Sequence, residues 1–100
     1  TAVEYSSTTT LKVDLIKGWT LDWPRLETED KIFGIGSARP LEDATRIAYR
    51  ELIRWMEADY GYDKWDAYMM LSQCGIVRLG NFVDPKYSVA AGIRKKFLAE

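Results

Sequence analysis

From residue 3 to residue 15 the chain alternates. Val3, Tyr5, Ser7, Thr9, Leu11, Val13 and Leu15 share one face; Glu4, Ser6, Thr8, Thr10, Lys12 and Asp14 share the other. That period of two predicts a long, half-buried antiparallel strand. Lys17-Gly18 closes it, and residues 19–24 are aromatic and irregular, with Pro24 arguing against a central strand. Residues 26–35 resume as strand, with a turn or bulge at Glu29-Asp30. At residues 33–44 the pattern changes, as a glycine-spaced strand end passes through a short turn into the strongest helix of the sequence. Pro40 suits the first helical position, and Glu42 and Asp43 place carboxylates in the first turn, where they complement the helix dipole. Leu41, Ala44, Ala48, Leu52, Trp55, Met56 and Asp59 then follow helical spacing, and Gly61 offers a left-handed C′ residue.

A second helix is predicted over Lys64–Cys74. Asp63 is its N-cap, Asp66 falls three residues on as in a capping box, and Gly75 stops it. Residues 76–83 read as a strand, Asp84-Pro85 as a turn, and residues 87–93 as the hairpin partner. The expected fold class is α+β: antiparallel strands from the two ends of the chain, with two helices packed on one face. Left uncovered, the long first strand would be an aggregation hazard, so the 100 residues are expected to form a single unit that is not independently complete.

Composition narrows the function classes. The chain is 47% hydrophobic and 13% aromatic, as a folded domain is. Fourteen basic and fifteen acidic residues give a net charge of −1, without the basic excess of a nucleic-acid binder. No apolar run reaches the ~20 residues of a membrane span, so neither nucleic acid nor membrane is an expected partner. A single cysteine, Cys74, fits a reducing, cytoplasmic setting. There is no histidine, so Ser-His and Cys-His pairs and histidine-bearing metal sites cannot be completed within these residues.

Most candidate motifs have plain structural readings. Gly34-Ile35-Gly36 lacks the third glycine of a dinucleotide fingerprint, Arg39 standing there, and Glu42 and Asp43 would repel a phosphate. Close packing explains the glycines better. Arg46, Arg50 and Arg54 line one side of the helix with Glu42, Glu51 and Glu57 three or four residues away, a solvated or interface face. Asp59, Asp63 and Asp66 read as helix ending and capping rather than a calcium loop. Cys74 lies at a helix end and reads as a small buried hydrophobe. The tryptophans and tyrosines read as core and interface. Thr1 is the exception: an N-terminal threonine carries its own general base, the α-amine, beside its hydroxyl, the arrangement of an N-terminal nucleophile acting on amides. The chain opens in the middle of a strand pattern, which leads us to expect a processed chain or a piece of a longer one.

The order of several stretches is more specific than any of these motifs. They are Thr1-Ala2-Val3-Glu4, Trp23-Pro24-Arg25-Leu26-Glu27-Thr28 and, above all, Gly36-Ser37-Ala38-Arg39-Pro40-Leu41-Glu42-Asp43-Ala44. Further on come Arg46-Ile47-Ala48-Tyr49, Leu71-Ser72-Gln73, Val77-Arg78, Gly80-Asn81 and Val83-Asp84-Pro85-Lys86-Tyr87. In these the chain resembles the C-terminal portion of the acetamidase/formamidase family, departing from it at Arg94, where proline is typical, and at Cys74, where alanine is usual. The resemblance implies hydrolysis of short aliphatic amides such as formamide or acetamide to the acid and ammonia. It implies a β-sandwich with added helices, completed by an upstream chain or segment, and a homo-oligomer of the assembled unit. It also implies a histidine- and aspartate-bearing site upstream. Cofactors are thus expected to be none in this chain, with a divalent metal, zinc or calcium, in the N-terminal chain of the same precursor. The alternative is a structural portion that builds the oligomer while its partner chain carries all the catalytic residues.

The expected site residues are Thr1 and Glu4 as catalytic groups and Ser37, Asn81 and Lys95 as substrate-binding groups. Glu4 lies on the polar face of the first strand, and Ser37 in the turn that feeds the helix, where a hydroxyl can face a pocket. Asn81 is an amide inside an apolar strand and needs a partner when buried. Lys95 follows the last strand.

Overall fold

A computed structural model of the chain describes residues 4–98. Two hairpins interlock to form its sheet. Strand β1 (Arg25–Glu27) turns through Thr28, whose backbone N–H donates to the Lys31 carbonyl at 2.9 Å, into β2 (Lys31–Ala38). Strand β3 (Ile76–Asn81) returns as β4 (Tyr87–Arg94), and β4 pairs with β2, giving an antiparallel order β1-β2-β4-β3. Between the hairpins come helices α1 (Leu41–Tyr60) and α2 (Lys64–Cys74); a short 3-10 turn (Lys95–Phe97) follows β4. The α+β class, the antiparallel sheet and both helices agree with the sequence reading.

Helix α1 lies directly on β2, and glycine makes this possible. A Cβ on Gly34 would stand 2.8 Å from the Leu52 nitrogen, and one on Gly36 2.7 Å from the Ala48 nitrogen, with helix carbonyls closer still. The small side chains of Ala44 and Ala48 complete the close approach. Ile32, Leu52, Met56, Val89 and Ile93 are the largest fully buried side chains, and α2 adds Ala67 and Leu71 to the same core. The opposite face of the sheet carries Leu26, Phe33, Ile35, Ser37, Ser88 and Ala90 at the alternate register positions.

Both helix ends are set locally. Gly61 adopts φ 68 and closes α1 onto the Met56 carbonyl, as its left-handed freedom allows. Pro40 sits one position earlier than expected, as the N-cap, its carbonyl accepting from the Asp43 and Ala44 amides. Asp63 caps α2 by accepting from the Trp65 amide at 3.0 Å.

Two expectations need correction. The alternating segment 4–15 forms no strand: Tyr5, Leu11, Val13 and Leu15 are 79–85% exposed, and no ladder partner for them exists among the described residues. Alternation specifies which face of a strand is apolar, but a strand also needs a neighbour to bond with. Strand β3 ends at Asn81, two residues short of the expected end. There the Asn81 amide donates to the Val83 and Lys86 carbonyls and folds the chain into the loop.

Candidate functional site

A buried polar constellation centres on Arg25. Its position opposite Gly34 in the β1–β2 register aims its side chain at α1. There the Arg25 Nε donates to Glu51 Oε1 at 2.7 Å. Glu51 is 2% exposed and Arg25 13%, so the pair is largely withdrawn from water and each charge depends on the other. The guanidinium stands 5.1 Å from the Trp55 ring centre and 5.7 Å from that of Trp19, aromatic faces that attract a cation. Arg54 approaches the second Glu51 oxygen at 4.0 Å and pairs with Asp22.

Beside this pair opens a cavity of about 490 Å³ lined by Ile16, Trp19, Arg25, Glu27, Trp55 and Asp59. Trp55 Nε1 donates to Asp59 Oδ2 at 2.8 Å, which fixes the indole wall. The lining supplies charge and flat apolar walls, with no hydroxyl or thiol. It is suited to hold and orient a small polar molecule, not to attack one. Among the described residues no group of three or more Cys, Asp or Glu side chains stands together as a metal site.

The expected site residues are spread over the molecule. Thr1 lies outside the described residues. Glu4 is exposed on the unpaired segment. Ser37 and Asn81 both pair with Ser88, so they flank it in one row across the sheet on the face away from the helices. The Ser88 hydroxyl donates to Ser37 Oγ at 3.5 Å, while the Asn81 amide is engaged by the loop carbonyls. Lys95 lies at the other end of β4, its ammonium on Glu27 at 2.5 Å. The structure therefore brings Ser37 and Asn81 together and sets Lys95 apart from them.

The Glu27 carboxylate raises the Lys95 pKa above its usual value by accepting its hydrogen bond. Tyr60 is raised as well, chiefly by burial and then by the Glu27 charge. A raised pKa in the folded state means that stability from the pair is full below the unfolded value of 10.5 and is lost as pH rises through the folded one. Lys95→Met should therefore cost a small increment of stability at pH 8 that disappears above the folded pKa, as thermal melts across that range will show. A difference between the two proteins that persists unchanged at high pH would contradict the pairing.

Arg25, Glu51 and the two tryptophans were not picked out as a site by the sequence reading. Arg25 appeared only within the stretch 23–28, and Glu51 only as a surface partner for the helix arginines. The placement of Glu51 on a solvated face is corrected by its burial. The available signal was its position: seven residues after Ala44, three after Ala48 and next to Leu52, inside the apolar stripe.

No family model matches the chain, and no curated protein does. Solved structures do match. The chain superposes on an acetamidase from Yersinia enterocolitica with a TM-score of 0.82 and 66% identity, over 85% of this chain and 26% of that one. A recombinant predicted acetamidase/formamidase from Thermoanaerobacter tengcongensis shares the fold at 22% identity and a TM-score of 0.72, over 81% of this chain and 27% of that one. An acetamidase from Bacillus halodurans does so at 21% identity and a TM-score of 0.69, over 77% and 26%. The sequence reading of a resemblance is borne out by these matches, and the chain belongs to the acetamidase/formamidase family, of whose solved chains it spans about a quarter.

Proposed function

We propose that this chain is the C-terminal portion of an amidohydrolase that cleaves short aliphatic amides, formamide and acetamide among them, to carboxylate and ammonia. The observation that carries the reading is the 66% identity to the Yersinia acetamidase, sustained over 85% of the chain. In this reading an upstream segment completes a β-sandwich against the sheet face bearing Leu26, Phe33 and Ile35, and supplies a strand partner for the alternating segment 4–15. Exposed apolar alternation of that kind supports such a partner, because leaving it in water forfeits its burial energy.

In this reading a histidine- and aspartate-bearing upstream segment supplies a divalent metal, and this portion adds its own groups to the site. Ser37 on β2 and Asn81 on β3, with Ser88 of β4 between them, offer a hydroxyl and an amide oxygen to the polar groups of a small amide. Thr1 acts as nucleophile where its α-amine is free, and Glu4 serves beside it as a proton carrier. The experiment is a set of substitutions in the purified protein, Thr1→Ala, Glu4→Gln, Ser37→Ala and Asn81→Ala, with ammonia release measured per site and assembly checked by light scattering. Loss of a group that takes part in proton transfer or attack should cut kcat by roughly a hundredfold or more with assembly unchanged. If the substitutions alter assembly alone and leave turnover per site intact, this portion is structural.

A further inference from the structure

The cavity beside the Arg25–Glu51 pair carries hydrogen-bonding capacity of both signs that the protein itself does not use. On one side stands Arg25. Its Nε is taken by Glu51, and no acceptor among the described residues meets the N–H groups of its terminal nitrogens. A guanidinium only 13% exposed is poorly hydrated, so an acceptor placed in the cavity gains more from those donors than from an arginine in open water. The second polar group is Asp59. Its Oδ2 accepts from the Trp55 indole at 2.8 Å, and no cation pairs with this carboxylate among the described residues. Its other oxygen is free to accept.

The rest of the lining is apolar. Trp55 is buried, whereas Trp19 and Ile16 are 51% and 65% exposed. Indole faces favour a flat conjugated partner, and covering the exposed part of this wall recovers burial energy. The space of about 490 Å³ lies within the range of about 300–1,000 Å³ of small-molecule sites, and acetamide would leave most of it open. Charge narrows the class further. Arg25 is matched by Glu51 and Glu27 by Lys95, which leaves Asp59 as the unmatched charge of the lining. An anionic ligand would face that charge, and a cationic one would face Arg25 and give it no acceptor. A neutral group with a carbonyl beside an N–H serves both residues.

We propose that this cavity binds a flat, uncharged ring compound carrying a carbonyl beside an N–H, an aryl carboxamide or a ring lactam. The carbonyl oxygen accepts from the terminal N–H groups of Arg25, the ligand N–H donates to Asp59, and the ring lies against Trp19 and Trp55. With no hydroxyl or thiol in the lining, the compound is held there and not cleaved. The cavity lies on the helix side of the sheet, away from the row of Ser37, Ser88 and Asn81. The inference therefore does not rest on the amidase reading: binding here can fail with hydrolysis intact, and hydrolysis can fail with binding intact.

Calorimetric titration of the purified protein with three probes of nearly one shape, benzamide, benzoate and benzamidinium, tests it. Benzamide should bind with a Kd of roughly a millimolar or tighter, as suits so small a ligand. Benzoate, benzamidinium and the ringless acetamide should each bind at least about tenfold more weakly. Asp59→Asn keeps an oxygen for the Trp55 indole but turns an N–H donor toward the cavity and removes the charge. The preference for benzamide over benzoate should then fall by at least about tenfold, whereas a merely structural role for Asp59 would weaken all probes alike. Arg25→Met combined with Glu51→Leu should abolish benzamide binding, with circular dichroism confirming the fold. Should that variant not fold, Asp59→Asn decides, since its side chain is exposed. Equal binding of the three probes, acetamide binding as tightly as benzamide, or an unchanged preference in Asp59→Asn would each overturn the proposal. So would the absence of benzamide binding, which would mean that another part of the same polypeptide fills the cavity.

Discussion

Glu51→Ala is expected to lower the midpoint of thermal unfolding by roughly 10 °C or more. The substitution leaves the Arg25 guanidinium, only 13% exposed, without the carboxylate it is bonded to at 2.7 Å. Breaking a buried pair by removing one partner costs about 3–5 kcal/mol, because the remaining charge is neither hydrated nor paired. For a unit of about 100 residues each kcal/mol is worth roughly 4–8 °C. Arg54, at 4.0 Å from Glu51, cannot substitute, since it carries the same sign as Arg25. Arg25→Met combined with Glu51→Leu should recover most of the loss, as apolar replacements of buried ion pairs commonly do. A single Glu51→Ala variant that melts within about 2 °C of wild type would show that water reaches the pair freely.

The second large effect is expected at Gly36. Its backbone angles are ordinary and the restriction is one of space alone. An added methyl would meet helix backbone at Ala44 and Ala48, the latter at 2.7 Å, and backbone cannot swing aside as a side-chain tip can. Gly36→Ala must push α1 off β2 along the densest contact of the core. The cost should lie at the upper end for overpacking, about 3 kcal/mol, with a matching loss of soluble protein. Gly80→Ala is the control, because its nearest neighbours would be the Ser88 carbonyl oxygen and Cβ at 3.7 and 3.8 Å. It should change stability by less than about 0.5 kcal/mol, as unobstructed surface substitutions do. Denaturant unfolding of the two variants side by side separates the packing effect from a general intolerance of alanine for glycine.

The parts of the fold that were legible in the sequence are those written locally. Asp63, Gly61 and Gly75 mark helix ends through hydrogen bonds within a few residues, and the hairpin turn near Asp84-Pro85 is equally short-range. Glycine spacing at residues 34 and 36 correctly signalled close packing without naming the helix that takes the space. The Arg25–Glu51 pair was hidden because its partners lie 26 residues apart and a glutamate three residues from an arginine reads as a surface pair. Segment 4–15 failed for the converse reason. Its alternation is clear, but a strand's ladder comes from another part of the polypeptide, which alternation cannot identify. Ser37 and Asn81 were noted separately; only the β2–β4–β3 register put Ser88 between them.

The proposed hydrolysis of small amides is tested most directly by stoichiometry. Purified protein carrying the chain should be incubated with acetamide and, separately, formamide, and the ammonia and carboxylate released should be followed over time. Equimolar acid and ammonia are expected from at least one of the two, with turnover lost in Gly36→Ala as α1 is displaced from the sheet. Folded, assembled protein that releases neither product from either amide would contradict it.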